Sequence, residues 1–116
     1  MEYLARFGFQ VVDFSGMSLA SQIEIGAGAE LMLGAHGAGL ANSLFMKEGS
    51  SVIEIDYPAP SRQDKYFFNV SRLTGKNHYF LRGRRANFAS KMDRNDDFAV
   101  DLHELDTLFA GLGITP

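Results

Sequence analysis

The feature that most constrains the fold is a repeated switch in the spacing of apolar residues. Short continuous or alternating runs give way to runs of period near 3.6 and then return. Phe9-Gln10-Val11-Val12-Asp13 reads as a strand. Ser18 then caps a helix in which Leu19, Ile23 and Ala27 fall at i, i+4 and i+8, with Gly26 and Gly28 weakening its end. Leu31-Met32-Leu33 is an unbroken apolar run of the kind a strand covered on both faces carries, and Ala38 to Met46 offers a short helix burying Leu40, Leu44 and Phe45. Val52-Ile53-Glu54-Ile55 is a third strand. A break follows at Tyr57-Pro58-Ala59-Pro60, where each proline removes a backbone donor and restricts the residue before it.

The alternation then resumes. From Asp64 to Leu73, Tyr66, Val70 and Leu73 recur at helical spacing, the helix stops at Gly75, and His78-Tyr79-Phe80-Leu81 supplies a fourth strand. Arg82 to Asp97 is polar and aperiodic. Its Arg82, Arg84 and Arg85 are expected to face solvent, the alternative being an anionic ligand or partner. Asp101 and Glu104 fit a capping box for a last helix lined by Leu102, Leu105, Leu108 and Leu112. The expected fold class is therefore α/β, a three-layer Rossmann-like domain whose sheet is mostly parallel.

Composition narrows the function classes. The 116 residues suit one domain, spanning 1–116, and the balance of 46% hydrophobic to 22% charged is that of a globular chain. A net charge of -3 argues against a general nucleic-acid binder. The sequence has no cysteine, hence no disulfide framework and no thiolate metal site, and it shows neither a signal peptide nor an integral membrane segment, which makes a cytoplasmic location the default expectation.

Chemistry concentrates in Gly34-Ala35-His36-Gly37-Ala38-Gly39-Leu40-Ala41-Asn42, between a buried strand and a helix. Open α/β sheets bind ligands at such junctions. Glycines let the backbone approach a phosphate, and the free N–H groups of the following helix favour an anion. The same glycines can equally serve a tight turn and close helix–strand packing. His36, at the strand end, can offer an imidazole donor to a phosphate or a sugar hydroxyl; no carboxylate lies close in sequence to orient it, so a binding role ranks above acid–base catalysis. Metal binding ranks lower, because His36, His78 and His103 share no ligand spacing and form no metal motif with Glu54 and Asp56. Glu54, at the next strand end, is placed either to accept from ribose hydroxyls or to reach solvent at the sheet's carboxyl edge.

These residues resemble glycosyltransferase family 61, a group with the GT-B architecture of two Rossmann-like halves, and the likeness is to the C-terminal, donor-binding half. Gly34 to Phe45 resembles the family's glycine-rich motif, and Gly49-Ser50-Ser51-Val52-Ile53-Glu54-Ile55 resembles the strand that follows it. Gly8 to Asp13 and Ser18 to Gln22 are similar to the preceding strand and helix, and Tyr66-Phe67 and Phe98 to Leu102 to later elements.

The resemblance implies transfer of a sugar from a nucleotide sugar, UDP-linked, to a glycan or protein acceptor, as in polysaccharide biosynthesis, with inversion and without metal or further cofactor. It places His36, Gly37, Ala38 and Gly39 around the donor diphosphate, with Asn42 and Glu54 as secondary candidates, and it assigns no catalytic residue. It departs at Ser21, where an acidic residue is common, and at Lys47-Glu48, where prolines are common. It further implies that the family's preceding strand, its arginine-bearing loop and the N-terminal half are absent here. The chain on its own is then not a competent enzyme, and it is expected to cover the sheet edge so exposed by forming a homodimer or by meeting the missing half. Two rival classes are a non-catalytic phosphoanion-binding module and a dinucleotide-dependent oxidoreductase domain; the latter is disfavoured because the motif runs on to Asn42 where a third glycine is needed.

Overall fold

The computed structural model describes residues 2–35, 37–56, 65–85 and 98–116. Its helices are α1 (Glu2–Ala5), α2 (Leu19–Gly28), α3 (Tyr66–Leu73) and α4 (Leu102–Gly111), with a 3-10 helix over Ala38–Phe45. Strands β1 (Leu31–Ala35), β2 (Ser51–Asp56) and β3 (Asn77–Arg82) form a parallel sheet in that order, with Leu31 opposite Ser51 and Ser51 opposite Asn77. The central strand is covered on both faces, and Val52 and Ile53 are each fully buried as a result.

Strand alternation sends these neighbours into two cores. Val52 and Met32 meet Leu40, Met46 and Phe67 beneath the 3-10 helix and α3. Ile53, Leu31, Leu33, Tyr79 and Leu81 face the other way, onto Leu105 and Phe109 of α4. Tyr3, Phe7 and Phe9 complete that second layer. The Phe7 ring meets Phe109 edge-on at 4.8 Å, Phe9 stacks on Phe109 at 5.6 Å, and the Tyr3 hydroxyl donates to Asp106. The fold is α/β, with helices on both faces of a parallel sheet, as the alternating periodicity predicts.

Several caps match expectation. Ser18 accepts from the Ser21 N–H at the start of α2, and Asp101 accepts from the His103 N–H at the start of α4. Gly75, at φ +74°, ends the turn after α3 in the left-handed region, where a side chain would also run into Glu48.

Other expectations are corrected. Phe9–Asp13 joins no sheet: among the described residues, β1 is bonded to β2 alone and no backbone hydrogen bond reaches residues 10–13. Ala38–Phe45 is a 3-10 helix, so the inward face repeats every third residue: Leu40, Ser43 and Met46 are buried while Leu44 is 53% exposed. On α2 the stripe of Leu19 and Ile23 is exposed, because the helix seats through Gly26, where an added Cβ would lie 2.9 Å from the Phe45 Cβ and 3.0 Å from the Asn42 carbonyl oxygen. On α3 the inward pair is Phe67 and Ser71, one position on from the expected Tyr66 and Val70, and Tyr66 and the expected Leu73 are exposed. Arg84–Arg85 is not aperiodic coil but a short strand, β4, antiparallel to β5 (Phe98–Ala99). The break at Tyr57–Pro60, the helix start at Asp64 and residues 86–97 lie outside the described residues.

Candidate functional site

The carboxyl ends of β1 and β2 carry most of the predicted positions. β1 ends at Ala35, Gly37 follows, and the 3-10 helix begins at Ala38, the Leu40 N–H closing its first turn onto the Gly37 carbonyl. Gly37 has φ 172° and ψ 179°, extended backbone that any residue adopts. Among the described residues beyond its chain neighbours, the atom nearest a Cβ added at Gly37 is the Ala35 carbonyl oxygen at 3.9 Å, and one at Gly39 would stand 3.9 Å from the Phe14 ring. Among the described residues, nothing in conformation or packing demands either glycine. Gly34 and Gly26 differ, standing 3.4 Å from Leu40 and 2.9 Å from Phe45 by the same measure. The turn-and-packing account thus explains Gly26, while no described residue crowds Gly37 or Gly39.

Beside Gly39 opens a cleft of about 420 Å³ lined by Val12, Asp13, Phe14, Ser15, Gln22, Gly39 and Asn42. Asn42 is buried, and its side-chain amide donates to the Gly39 carbonyl at 3.1 Å, which fixes the turn that carries the glycine. Asp13 accepts from the Ser15 N–H at 2.9 Å; that bond, together with the Ser15 hydroxyl, holds its carboxyl below the usual carboxylate range. The cleft therefore offers a fixed negative charge, a hydroxyl and amides beside a bare backbone. Those groups suit the hydroxyls of a sugar.

Glu54 lies elsewhere. It faces the layer of α3 and is 3% exposed, so it does not reach solvent. The His78 Nε2 sits 2.8 Å from its Oε1, and the His78 Nδ1 sits 2.7 Å from the Ser71 Oγ. A carboxylate at Glu54 takes the Nε2–H, leaving Nδ1 to accept from the Ser71 hydroxyl. The order acid, imidazole, hydroxyl is that of a nucleophilic triad, but Ser71 is fully buried and no substrate reaches it. The row is a brace that ties β2, β3 and α3 together under the strand ends. Sequence reasoning missed His78 and Ser71. The available signal was that an inward Glu on a central strand needs a buried partner, and His78 stands on the adjacent strand.

His36 lies outside the described residues, and of Ala38 only the backbone is placed. The structure therefore brings Gly39 and Asn42 to one cleft with Asp13, Ser15 and Gln22, places Gly37 in the turn before it, and sets Glu54 apart in the interior.

An α/β domain with a bare glycine turn at the carboxyl edge of a parallel sheet is the class that fold and site define. Residues 1–53 match the family model described as Glycosyltransferase 61, which bears out the resemblance to that family and points to sugar transfer as the class of activity. The match takes in the whole glycine turn and the start of β2; Glu54, α3, β3 and α4 lie beyond it. No curated protein and no solved structure matches the chain. Among the described residues, no helix is long and apolar enough to cross a membrane.

Proposed function

We propose that this chain is the donor-binding domain of a glycosyltransferase, corresponding to the C-terminal half of a GT-B enzyme, and that it holds a UDP-linked sugar on its way to a glycan or protein acceptor. The observation that carries the reading is the open space over Gly37 and Gly39, at a strand end, with no described residue crowding the place of a side chain at either. The diphosphate lies against this backbone and the first N–H groups of the 3-10 helix, with His36 as a further donor. The cleft lined by Asp13, Ser15, Gln22 and Asn42 takes sugar hydroxyls. N–H groups oriented in advance stabilise charge on the departing nucleoside diphosphate, which is the role a metal fills in other transferases. By resemblance, transfer proceeds with inversion and without metal. Glu54 supports the site from below through His78 and is not a contact residue in this reading.

Titration of the protein with UDP, a UDP-sugar and NAD, followed by calorimetry or NMR, tests the proposal. UDP and the UDP-sugar are expected to bind in the presence of a chelator, and NAD is not. Gly39→Val, which places methyl groups where phosphate oxygens must come, abolishes binding with the fold intact, while His36→Ala weakens it by roughly 1.5–3 kcal/mol, the value of one hydrogen bond to a charged group. Failure of wild type to bind any of these at millimolar ligand, or equal binding by the folded Gly39→Val variant, overturns it.

A further inference from the structure

One wall of the cleft beside Gly39 is a turn held at several points. The Met17 N–H closes it onto the Phe14 carbonyl at 3.2 Å, Gly16 at φ +76° supplies the left-handed backbone it needs, and the Gln22 side-chain amide ties the Met17 carbonyl to α2 at 3.1 Å. Asp13 stands at the head of this turn and is the one charged side chain among the described residues that line the cleft. The hydrogens around it are largely spent. The Ser15 N–H and hydroxyl both go to Asp13, one Gln22 amide hydrogen goes to Met17, and one Asn42 amide hydrogen goes to the Gly39 carbonyl. What remains is rich in acceptors: the Asp13 carboxylate and the oxygens of Gln22, Asn42 and Ser15, against one hydrogen on each amide.

On the donor-binding reading of the site, we infer that Asp13 is a specificity-determining residue: it selects an uncharged, hydroxyl-rich sugar as the group to be transferred and rejects a sugar that carries a carboxylate. An acceptor-rich lining is satisfied by a guest that brings hydrogens. A sugar brings several hydroxyls, and its C–H face suits Val12 and the Phe14 ring. A uracil ring offers a single N–H between two carbonyl oxygens and matches poorly, and a carboxylate or phosphate offers acceptors alone. A second negative charge in the cleft is therefore opposed twice, by Asp13 itself and by the lack of hydrogens to take it up. The same carboxylate turns the diphosphate toward the first N–H groups of the 3-10 helix, so charge sorts the two parts of the donor between turn and cleft. The Ser15 bonds that hold Asp13 below the usual carboxylate range keep it ionised in mild acid, where the discrimination persists.

The test titrates the intact chain with UDP, UDP-glucose and UDP-glucuronate, the two sugars differing only in a hydroxymethyl or a carboxylate group, and repeats the series on Asp13→Asn. The asparagine oxygen still accepts from the Ser15 N–H, so the turn and the fold are retained. Wild type is expected to bind UDP-glucose about fivefold more tightly than UDP-glucuronate, the scale of one exposed charge pair, and Asp13→Asn to close that gap. Equal affinities for the two sugars in wild type, or a gap that survives in Asp13→Asn, overturns the assignment of Asp13 while UDP binding at the glycine turn stands. An Asp13→Asn variant that loses as much affinity for UDP as for UDP-glucose places the carboxylate on the nucleoside and overturns it as well. A wild type that binds none of the three removes the donor-binding reading, and the role of Asp13 with it.

Discussion

His78 is the residue on which the interior of the sheet turns. Its side chain is 2% exposed, it bridges Glu54 on β2 to Ser71 on α3, and its ring lies among Phe68 and Phe80. Replacing it by alanine takes from Glu54 its imidazole partner while the carboxylate stays buried, an arrangement that costs roughly 3 kcal/mol. Adding Glu54→Leu to His78→Ala is expected to recover much of that loss, because it removes the buried carboxylate that has lost its imidazole partner. Urea midpoints of the single and double variants check it, and strictly additive losses would refute the coupling. At this scale the sequence was partly legible. Glu54 stood out because it interrupts an apolar run, but its depth depends on α3 closing over it, which no local pattern reports. Asn42 was legible from its place in the motif. Asp13 and Ser15 were not singled out, since their importance comes from folding back beside Gly39.

At the scale of elements, period carries the information and the type of helix decides how it is spent. The run from Ala38 to Met46 was recognisable as helical, yet its buried positions follow a repeat of three, because the backbone hydrogen bonds are of the 3-10 kind. Reading a repeat near 3.6 sends Leu44 inward where the structure has it outside. Glycine shows the same divergence. Gly26 and Gly28 look equivalent as weak points of α2, but Gly26 touches Phe45 and the Asn42 carbonyl, whereas Gly28 touches nothing. Gly26→Ala is thus expected to destabilise by about 1–3 kcal/mol through overpacking. Gly28→Ala instead gains about 0.5 kcal/mol from reduced freedom of the unfolded chain. Thermal unfolding of the pair gives opposite shifts, and like-signed shifts would contradict the packing described here.

For the whole molecule, the parallel sheet and its helical layers were legible because each strand-to-helix switch is written locally. The place of Phe9–Asp13 was not, since strand propensity says nothing of whether an edge lies within reach. Nor was the layer built on Phe109, whose partners Tyr3, Phe7 and Phe9 come from the far end of the sequence. Phe109→Ala removes a fully buried ring and is expected to cost about 3–5 kcal/mol. A loss under 1 kcal/mol in denaturant unfolding would show that this layer does not hold the sheet.

That layer also sets an order in time. The Tyr3 to Asp106 contact joins residues 103 apart, whereas the pairings of Leu31 with Ser51 and of Ser51 with Asn77 close far shorter loops. Each doubling of a loop adds about 0.6 kcal/mol of closure entropy, so the sheet and the layer over Val52 assemble before the aromatic cluster closes on α4. Substitutions in the cluster then accelerate unfolding and leave the refolding rate nearly unchanged, and the lifetime of the native state is governed by the last contacts made.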